Sequence, residues 1–424
     1  MHPISRTNRG LLLSVYAPTL MLSFSQAVLV PTLPLYAQSF HISLAQVSLA
    51  VAAAGFGTLL TDLPAGLLLE RMGRRSMMLV GTGALALATL AIPLLPLFPV
   101  LVLARLIAGA GTAMWGISRM AYLTDVTSPR DRGRAISTFG GINRIGTFAG
   151  PAVGGLVGSL FGLAAPFIVS GVLAALALVL AHLFIVETGR RDGPSHGRLR
   201  WKVMGEVMRR HWRDLSTAGA AQIFAQMIRA GRQLIVPLYG ANVLGLDVAA
   251  VGSIVSLSAA IDMSLFVPAG FIMDRLGRKW ASVPSFLVMG LGMALIPLAR
   301  DYTGLLIATA VIGLGNGLGS GTMMTLGADL APRQAVGEFL GVWRLIGDAG
   351  STGGPVVVGT IADLVGLSLA ALVLAAVGGI AALTLALFVR ETLEEHAPAA
   401  GQAPALAPPG SEGGAAERLA SRRG

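Results

Sequence analysis

The chain has 424 residues, a formal net charge of +10 and no cysteine, with 54% of its residues hydrophobic and only 12% charged. With a mean hydropathy of +0.73, this excludes an ordinary soluble domain. The basic residues gather in short loops between apolar runs, which excludes a nucleic-acid-binding face. The missing cysteines exclude disulfides and thiol chemistry.

A membrane-crossing helix needs about 20 apolar residues. Twelve segments qualify, at 11–37, 44–69, 76–97, 101–124, 134–160, 164–186, 216–240, 249–272, 281–299, 303–328, 337–362 and 366–389. Arg6 and Arg9 precede the first run in the manner of a signal peptide, but the run continues to about Tyr36, too long for a cleaved segment, and is read as the first span. Backbone in lipid must satisfy its own hydrogen bonds, and none of the segments alternates polar with apolar residues, so they are predicted to be helices and not barrel strands. Between the sixth and seventh spans, residues 190–214 form a predicted linker. There Trp201, Met204, Met208, Trp212 and Leu215 recur at helical spacing opposite arginines, the pattern of an amphipathic helix on the membrane surface, or of a helix docked on a partner protein. The tail, 396–424, is rich in Ala, Pro and Gly and is predicted to be disordered.

Of the 31 Lys and Arg, 24 fall on the termini and the loops after even-numbered spans, and one, Arg300, falls on the opposite loops. This asymmetry predicts that both termini are cytoplasmic. The other six, Arg105, Arg119, Arg144, Arg229, Arg232 and Arg344, lie inside spans.

The stretch Thr61–Arg75 returns 204 residues later as Leu265–Lys279. Pro64, Ala65, Gly66, Arg71, Gly73 and Arg74 recur as Pro268, Ala269, Gly270, Arg275, Gly277 and Arg278. The same offset relates Gly109 to Gly313, Asp125 to Asp329, Gly150-Pro151 to Gly354-Pro355, and Glu187-Thr188 to Glu391-Thr392. The chain is therefore predicted to be a six-helix unit used twice in parallel, residues 1–189 and 215–395, with substrate handled between the halves.

These residues resemble the major facilitator superfamily in its twelve-helix form over residues 10–395. The family's signature loop after the second helix is matched by Gly66, Glu70, Arg71, Gly73, Arg74 and Arg75, with Glu70 in place of the usual Asp. It is matched again by Gly270, Asp274, Arg275, Gly277, Arg278 and Lys279. The resemblance implies a gating loop, with Arg71 and Asp125 as its latch. Arg105-x-x-x-Gly109-x-Gly111-x-Ala113 resembles a second family motif. The run Gly146, Gly150, Pro151, Gly154 and Gly155, kept in part as Gly354 and Pro355, resembles the fifth-helix motif of drug:proton antiporter-like exporters and is expected to pack the two halves closely.

Charges inside a membrane are costly and usually functional. In the resembled fold, helix 2 runs beside helix 11 and helix 5 beside helix 8. Counting about 1.5 Å per residue places Asp62 level with Arg344 and Arg144 level with Asp262. Two cross-half pairs are therefore expected, with Asp348 one turn from Arg344. Asp62, Asp262 and Asp348 are the candidate proton carriers, with Arg144 and Arg344 as their partners. Gln26, Arg105, Gln222, Gln226, Arg229, Arg232 and Asn316 are expected to line a substrate cavity whose cationic character suits a carboxylate or phosphate.

No phosphate loop, dinucleotide loop or hydrolytic cluster is present in the sequence, and the six scattered histidines are not at ligand spacing. The sequence thus points to an all-α membrane protein that is not an enzyme, with no cofactor and no metal. Its expected partners are protons, the lipid bilayer and a small-molecule substrate, and it is expected to act as a monomer. The expected function is proton-coupled transport in a bacterial inner membrane, as efflux. Uptake or exchange of an organic anion, or a non-transporting receptor on the same fold, are the alternatives.

Overall fold

The structure is a computed structural model that describes residues 10–128, 131–188, 201–332 and 335–393. The predicted tail, linker residues 190–200, and the side chains of Gly66, Glu70, Trp201 and Met204 lie outside the described part.

Among the described residues, twelve helical spans follow one another. In the first half they are α1 (Leu12–Tyr16, Ala17–Val28 and Leu33–Gln38), α2 (Leu44–Met72), α3 (Arg74–Leu94), α4 (Phe98–Val126), α5 (Arg132–Phe161) and α6 (Ala165–Phe184). A linker helix (Trp201–Arg210) precedes the second half. That half comprises α7 (Trp212–Asn242), α8 (Val248–Ser264 and Phe266–Arg275), α9 (Arg278–Leu295), α10 (Tyr302–Leu318 and Thr322–Leu330), α11 (Val336–Val365) and α12 (Leu367–Phe388). Among the described residues, eight helical stretches are long and apolar enough to cross a membrane. α1 enters only as the shorter apolar helix Leu12–Val28, and α5, α7 and α11 are not among these eight. They are richer in glycine and polar groups and carry Arg144, Arg229, Arg232, Arg344 and Asp348, as helices that face protein and water instead of lipid do.

Local chemistry sets the ends of the spans. Ser43 and Gln46 form a reciprocal capping box at α2. Asp247 caps α8 through the Ala250 N–H at 2.9 Å, and Asp301 caps α10 through Gly304 at 2.8 Å. The tight turns into α3 and α9 hold Gly73 and Gly277 at φ 80° and 113°, a region open to glycine and strained for other residues.

The pairwise packing repeats. Within the first half, α1 packs on α5 and α6, α4 on α2 and α3, and α3 on α6. The second half reproduces each pair, with α7 on α11 and α12, α10 on α8 and α9, and α9 on α12. The halves meet where α5 crosses α8 and α2 crosses α11. Leu87, Leu183, Leu287 and Leu387 on α3, α6, α9 and α12 stand exposed, as a lipid-facing surface requires.

Candidate functional site

Glycine sets how closely the helices approach. A methyl group added at Gly146, Gly150 or Gly154 of α5 would strike Ser23, Ala27 or Val28 of α1, so these positions pack inside the first half. Pro151 and Gly155 of the motif reach across: the Pro151 carbonyl lies against Gly252 of α8, and a carbon added at Gly155 would lie 2.6 Å from the Val248 carbonyl and 2.9 Å from the Gly252 Cα. This corrects the expectation that the whole motif packs half against half: residues four apart share one helix face, and that face is turned to α1. Ala152 N–H, beside Pro151, donates to Ser256 Oγ at 2.8 Å, a second tie from α5 to α8. In the second half, Gly354 lies against Met227 of α7.

The basic turns between α2 and α3 (Arg71, Arg74, Arg75) and between α8 and α9 (Arg275, Arg278, Lys279) define a basic end. At the far end the halves are in contact: Gly359 of α11 lies on Ser48 of α2, and Leu44 N–H donates to Asp363 Oδ1 at 3.1 Å. Toward the basic end, Gly133, Gly140 and Gly141 of α5 and Gly337 and Gly341 of α11 have nothing within 4 Å of an added methyl. The halves close at one end and part at the other.

Between them lies a cavity of about 1020 Å³ that extends to Arg74 and Asp125 at the basic end. Gln26 and Arg105 line it, as expected, together with Thr112, Trp115, Arg119, Asn143 and Gln233. Gln26 Nε2 donates to Thr112 Oγ1 at 3.4 Å. Five other expected residues are not on this wall. Gln222 is buried against Gly347 of α11, and Gln226 is not among the lining residues. Arg229 donates from Nε to Asn316 Oδ1 at 3.0 Å and from Nη2 to the Gly319 carbonyl at 2.9 Å, with its guanidinium over the Phe286 ring. Arg232 lies 3.9 Å from Asp262. The two arginines of the α7 polar stripe are taken up by partners within the second half, because buried donors must find partners.

The structure brings together both cross-half pairs. Arg344 Nε lies 3.2 Å from Asp62 Oδ2 and 3.5 Å from Asp348 Oδ2. Arg144 Nη1 lies 3.6 Å from Asp262 Oδ1, and Arg144 Nη2 donates to Ser320 Oγ at 3.0 Å. Asp262 also accepts from Asn316 Nδ2 at 2.6 Å. One carboxylate thus holds a cation from the opposite half, a cation from its own half and an amide.

At the basic end, Asp125 pairs with Arg74, Nε to Oδ2 at 3.1 Å, and also accepts from Thr188 Oγ1 at 2.9 Å. The expected Arg71–Asp125 latch is therefore corrected to Arg74. Arg71 ends α2, whereas Arg74 opens α3 beyond the Gly73 turn, and that turn points it at α4. The second half repeats the arrangement: Arg278 Nε meets Asp329 Oδ2 at 2.8 Å, and Thr392 Oγ1 donates to the same oxygen at 2.7 Å. Asp274 is exposed, 4.0 Å from Arg278, Arg275 stacks near Phe271, and Gly270 has open space around it.

Glu187 and Glu391 were not recognised as site residues from the sequence. Glu187 accepts from the Arg74 and Arg75 N–H groups at 3.0 and 3.2 Å, and Glu391 from Arg278 and Lys279 at 2.8 and 3.0 Å. Each carboxylate closes the free first turn of a helix. Burial alone would raise the Glu391 carboxyl, but the N–H groups of Arg278, Lys279, Leu393 and Thr392 together hold it below the ordinary carboxylate range. The repeated Glu-Thr pair was the available signal.

A doubled six-helix bundle around a one-sided cavity, with charge pairs joining its halves, is the architecture of a membrane transporter. The sequence pattern of the Major Facilitator Superfamily matches residues 17–261 and 219–422, and the chain belongs to that family. It is 21% identical to an uncharacterised MFS-type transporter of Methanocaldococcus jannaschii, over 80% of this chain and 87% of that protein. It is 26% identical to a multi-drug resistance efflux pump PmrA homolog of Lactococcus lactis, over 80% of this chain and 85% of that one. Among solved structures, a bacterial homolog of the human lysosomal transporter Spinster superimposes with a TM-score of 0.78 at 16% identity, over 93% of this chain and 100% of the other.

Proposed function

We propose that the chain is a proton-coupled secondary transporter that exports a small organic molecule across a bacterial inner membrane, with both termini cytoplasmic. The observation that carries this reading is Asp262, held in the membrane between Arg144 of the opposite half and Arg232 of its own, where α5 and α8 join the halves. Protonation would remove the charge that attracts Arg144 and so release one tie between the halves. Deprotonation toward the other side would restore it. An inward proton supplies about 2.3 kcal/mol per 100 mV of membrane potential, enough to drive accumulation of a solute. The excess of basic residues at the open end supports placing that end in the cytoplasm, and the kinship with an efflux pump supports export.

The test uses purified full-length chain in proteoliposomes with an imposed pH gradient, and two fluorescent probes, the anion fluorescein and the cation ethidium. The expected result is movement of one probe against its own gradient, abolished by collapsing the pH gradient and lost in Asp262→Asn while exchange without net accumulation persists. Movement indifferent to the pH gradient would overturn proton coupling. Binding of a probe with no flux would favour a receptor on this fold.

A further inference from the structure

The cavity wall holds two cations that the charge pairs do not neutralise. Among the described residues, Arg105, half-buried in α4, makes no hydrogen bond, ion pair or ring contact, and its Nε is shielded from solvent and unpartnered. Arg119, on the same helix, has no carboxylate in reach among the described residues; its guanidinium carbon lies 3.9 Å from the centre of the Phe139 ring. The two are fourteen residues apart, which is about 21 Å along an α-helix and within about 40° of the same face. Both line the cavity, Arg119 toward the basic end where Arg74 and Asp125 lie, Arg105 deep within. The cavity's other arginines are answered, Arg74 by Asp125 and Arg344 by Asp62 and Asp348. Asp125 is the only carboxylate among the described lining residues, and Arg74 already occupies it.

An arginine deep in a bilayer is costly unless something meets it. In a wet cavity a carboxylate, phosphate or sulfonate can do so with paired, charge-assisted hydrogen bonds. The same wall offers apolar side chains, Leu22, Leu29, Leu33 and Leu85, together with the neutral polar groups of Gln26, Thr89 and Thr112. The volume of about 1020 Å³ is that of a site for a drug-sized molecule.

Resting on the transporter reading above, the geometry points to an amphipathic organic anion as the substrate class, its acidic group seated on Arg105 and its apolar body on the leucines. Arg119 is the outer station that draws the anion in. The orphaned guanidinium and the missing counter-charge carry this assignment, and the same features disfavour a cationic substrate.

Equilibrium binding to the full-length chain in detergent tests the site without any gradient, so its failure leaves proton coupling standing, and failure of coupling leaves the site standing. The probes are fluorescein, 1-naphthalenesulfonate and ethidium, read by fluorescence anisotropy and by the shift in thermal unfolding. Both anions are expected to bind and stabilise the protein. Arg105→Gln is expected to weaken them roughly tenfold or more, with partial recovery in Arg105→Lys, which keeps the charge and loses the fork. Arg119→Gln is expected to slow association and flatten its salt dependence, with a smaller change in affinity. Unliganded unfolding shows that the fold is retained: Arg105→Gln is expected to match the parent, and Arg119→Gln to fall only slightly below it, since it loses the contact with the Phe139 ring. Binding of ethidium in place of the anions, anion binding unchanged in Arg105→Gln, or no binding of either anion by the parent chain would each overturn the assignment.

Discussion

Arg344 on α11 reaches Asp62 on α2 across the junction of the two halves, Nε to Oδ2 at 3.2 Å, and with the same nitrogen holds Asp348 one helical turn away at 3.5 Å. Asp62 is shielded, with its side chain 8% exposed, whereas Asp348 is 29% exposed. The two acids therefore differ in what their loss would do. Asp62→Asn leaves no charged tie between α2 and α11 at this depth and is expected to lower pH-driven probe accumulation in proteoliposomes roughly tenfold or more. Asp348→Asn keeps the cross-half pair and is expected to lower it by no more than about threefold. Equal losses in the two variants would show that the cluster acts as one unit.

The two end latches share their chemistry and differ in burial. Arg278 and Asp329 are 13% and 12% exposed at 2.8 Å, against 24% and 22% for Arg74 and Asp125 at 3.1 Å. Breaking a buried pair leaves an unpaired charge and costs about 3–5 kcal/mol, while an exposed pair is worth about 0–1 kcal/mol. Asp329→Asn is therefore expected to lower the thermal unfolding midpoint in detergent clearly more than Asp125→Asn does.

The N–H groups around Glu391 hold its carboxyl below the ordinary range, and the pH dependence follows from that sign. A carboxyl whose pKa is lowered by folding adds stability that is complete above its unfolded value and is lost as the pH falls through the lowered folded value. Acidification is expected to destabilise the parent chain more than Glu391→Gln, measured as the difference in unfolding midpoint between neutral and acidic buffer. A parallel loss in the two proteins would remove Glu391 from the account.

Glycines with no neighbours in this state are expected to matter in the other. Gly140 and Gly141 on α5 have open space around them. Gly155, more than two turns beyond the same helix's midpoint, is pressed against α8. If the basic end closes as the far end opens, leucine at Gly140 or Gly141 is expected to leave unfolding of the purified protein unchanged and to stop transport. Gly155→Leu is expected to lower stability by about 1–3 kcal/mol through overpacking.

Much of this arrangement was legible in the chain, and the limits have physical causes. The doubled unit could be read because Gly73 and Gly277 serve turns that few other residues tolerate, so the signature persists at one offset. The pairs Asp62–Arg344 and Arg144–Asp262 could be placed by depth, since residue count along a helix measures height directly. Rotation about the helix axis is set by packing and cannot be counted. That is why the sequence points Gln222 and Arg229 of α7 at the cavity although Gln222 lies on Gly347 and Arg229 on Gly319. The latch was misassigned for a related reason: Arg71 and Arg74 flank a turn, and only the path of Gly73 decides which faces Asp125.

The central claim is that protonation of the buried acids exchanges which end of the bundle is open. The chain has no cysteine, so spin labels can be placed on introduced pairs without background. Ser137→Cys with Gly341→Cys spans the halves at the basic end, and His41→Cys with Leu364→Cys spans them at the far end. Pulsed electron–electron distances on acidification are expected to shorten at the basic end and lengthen at the far end in one transition, which Asp262→Asn makes independent of pH. Distances that stay fixed at both ends, or that change in the same direction, would contradict it.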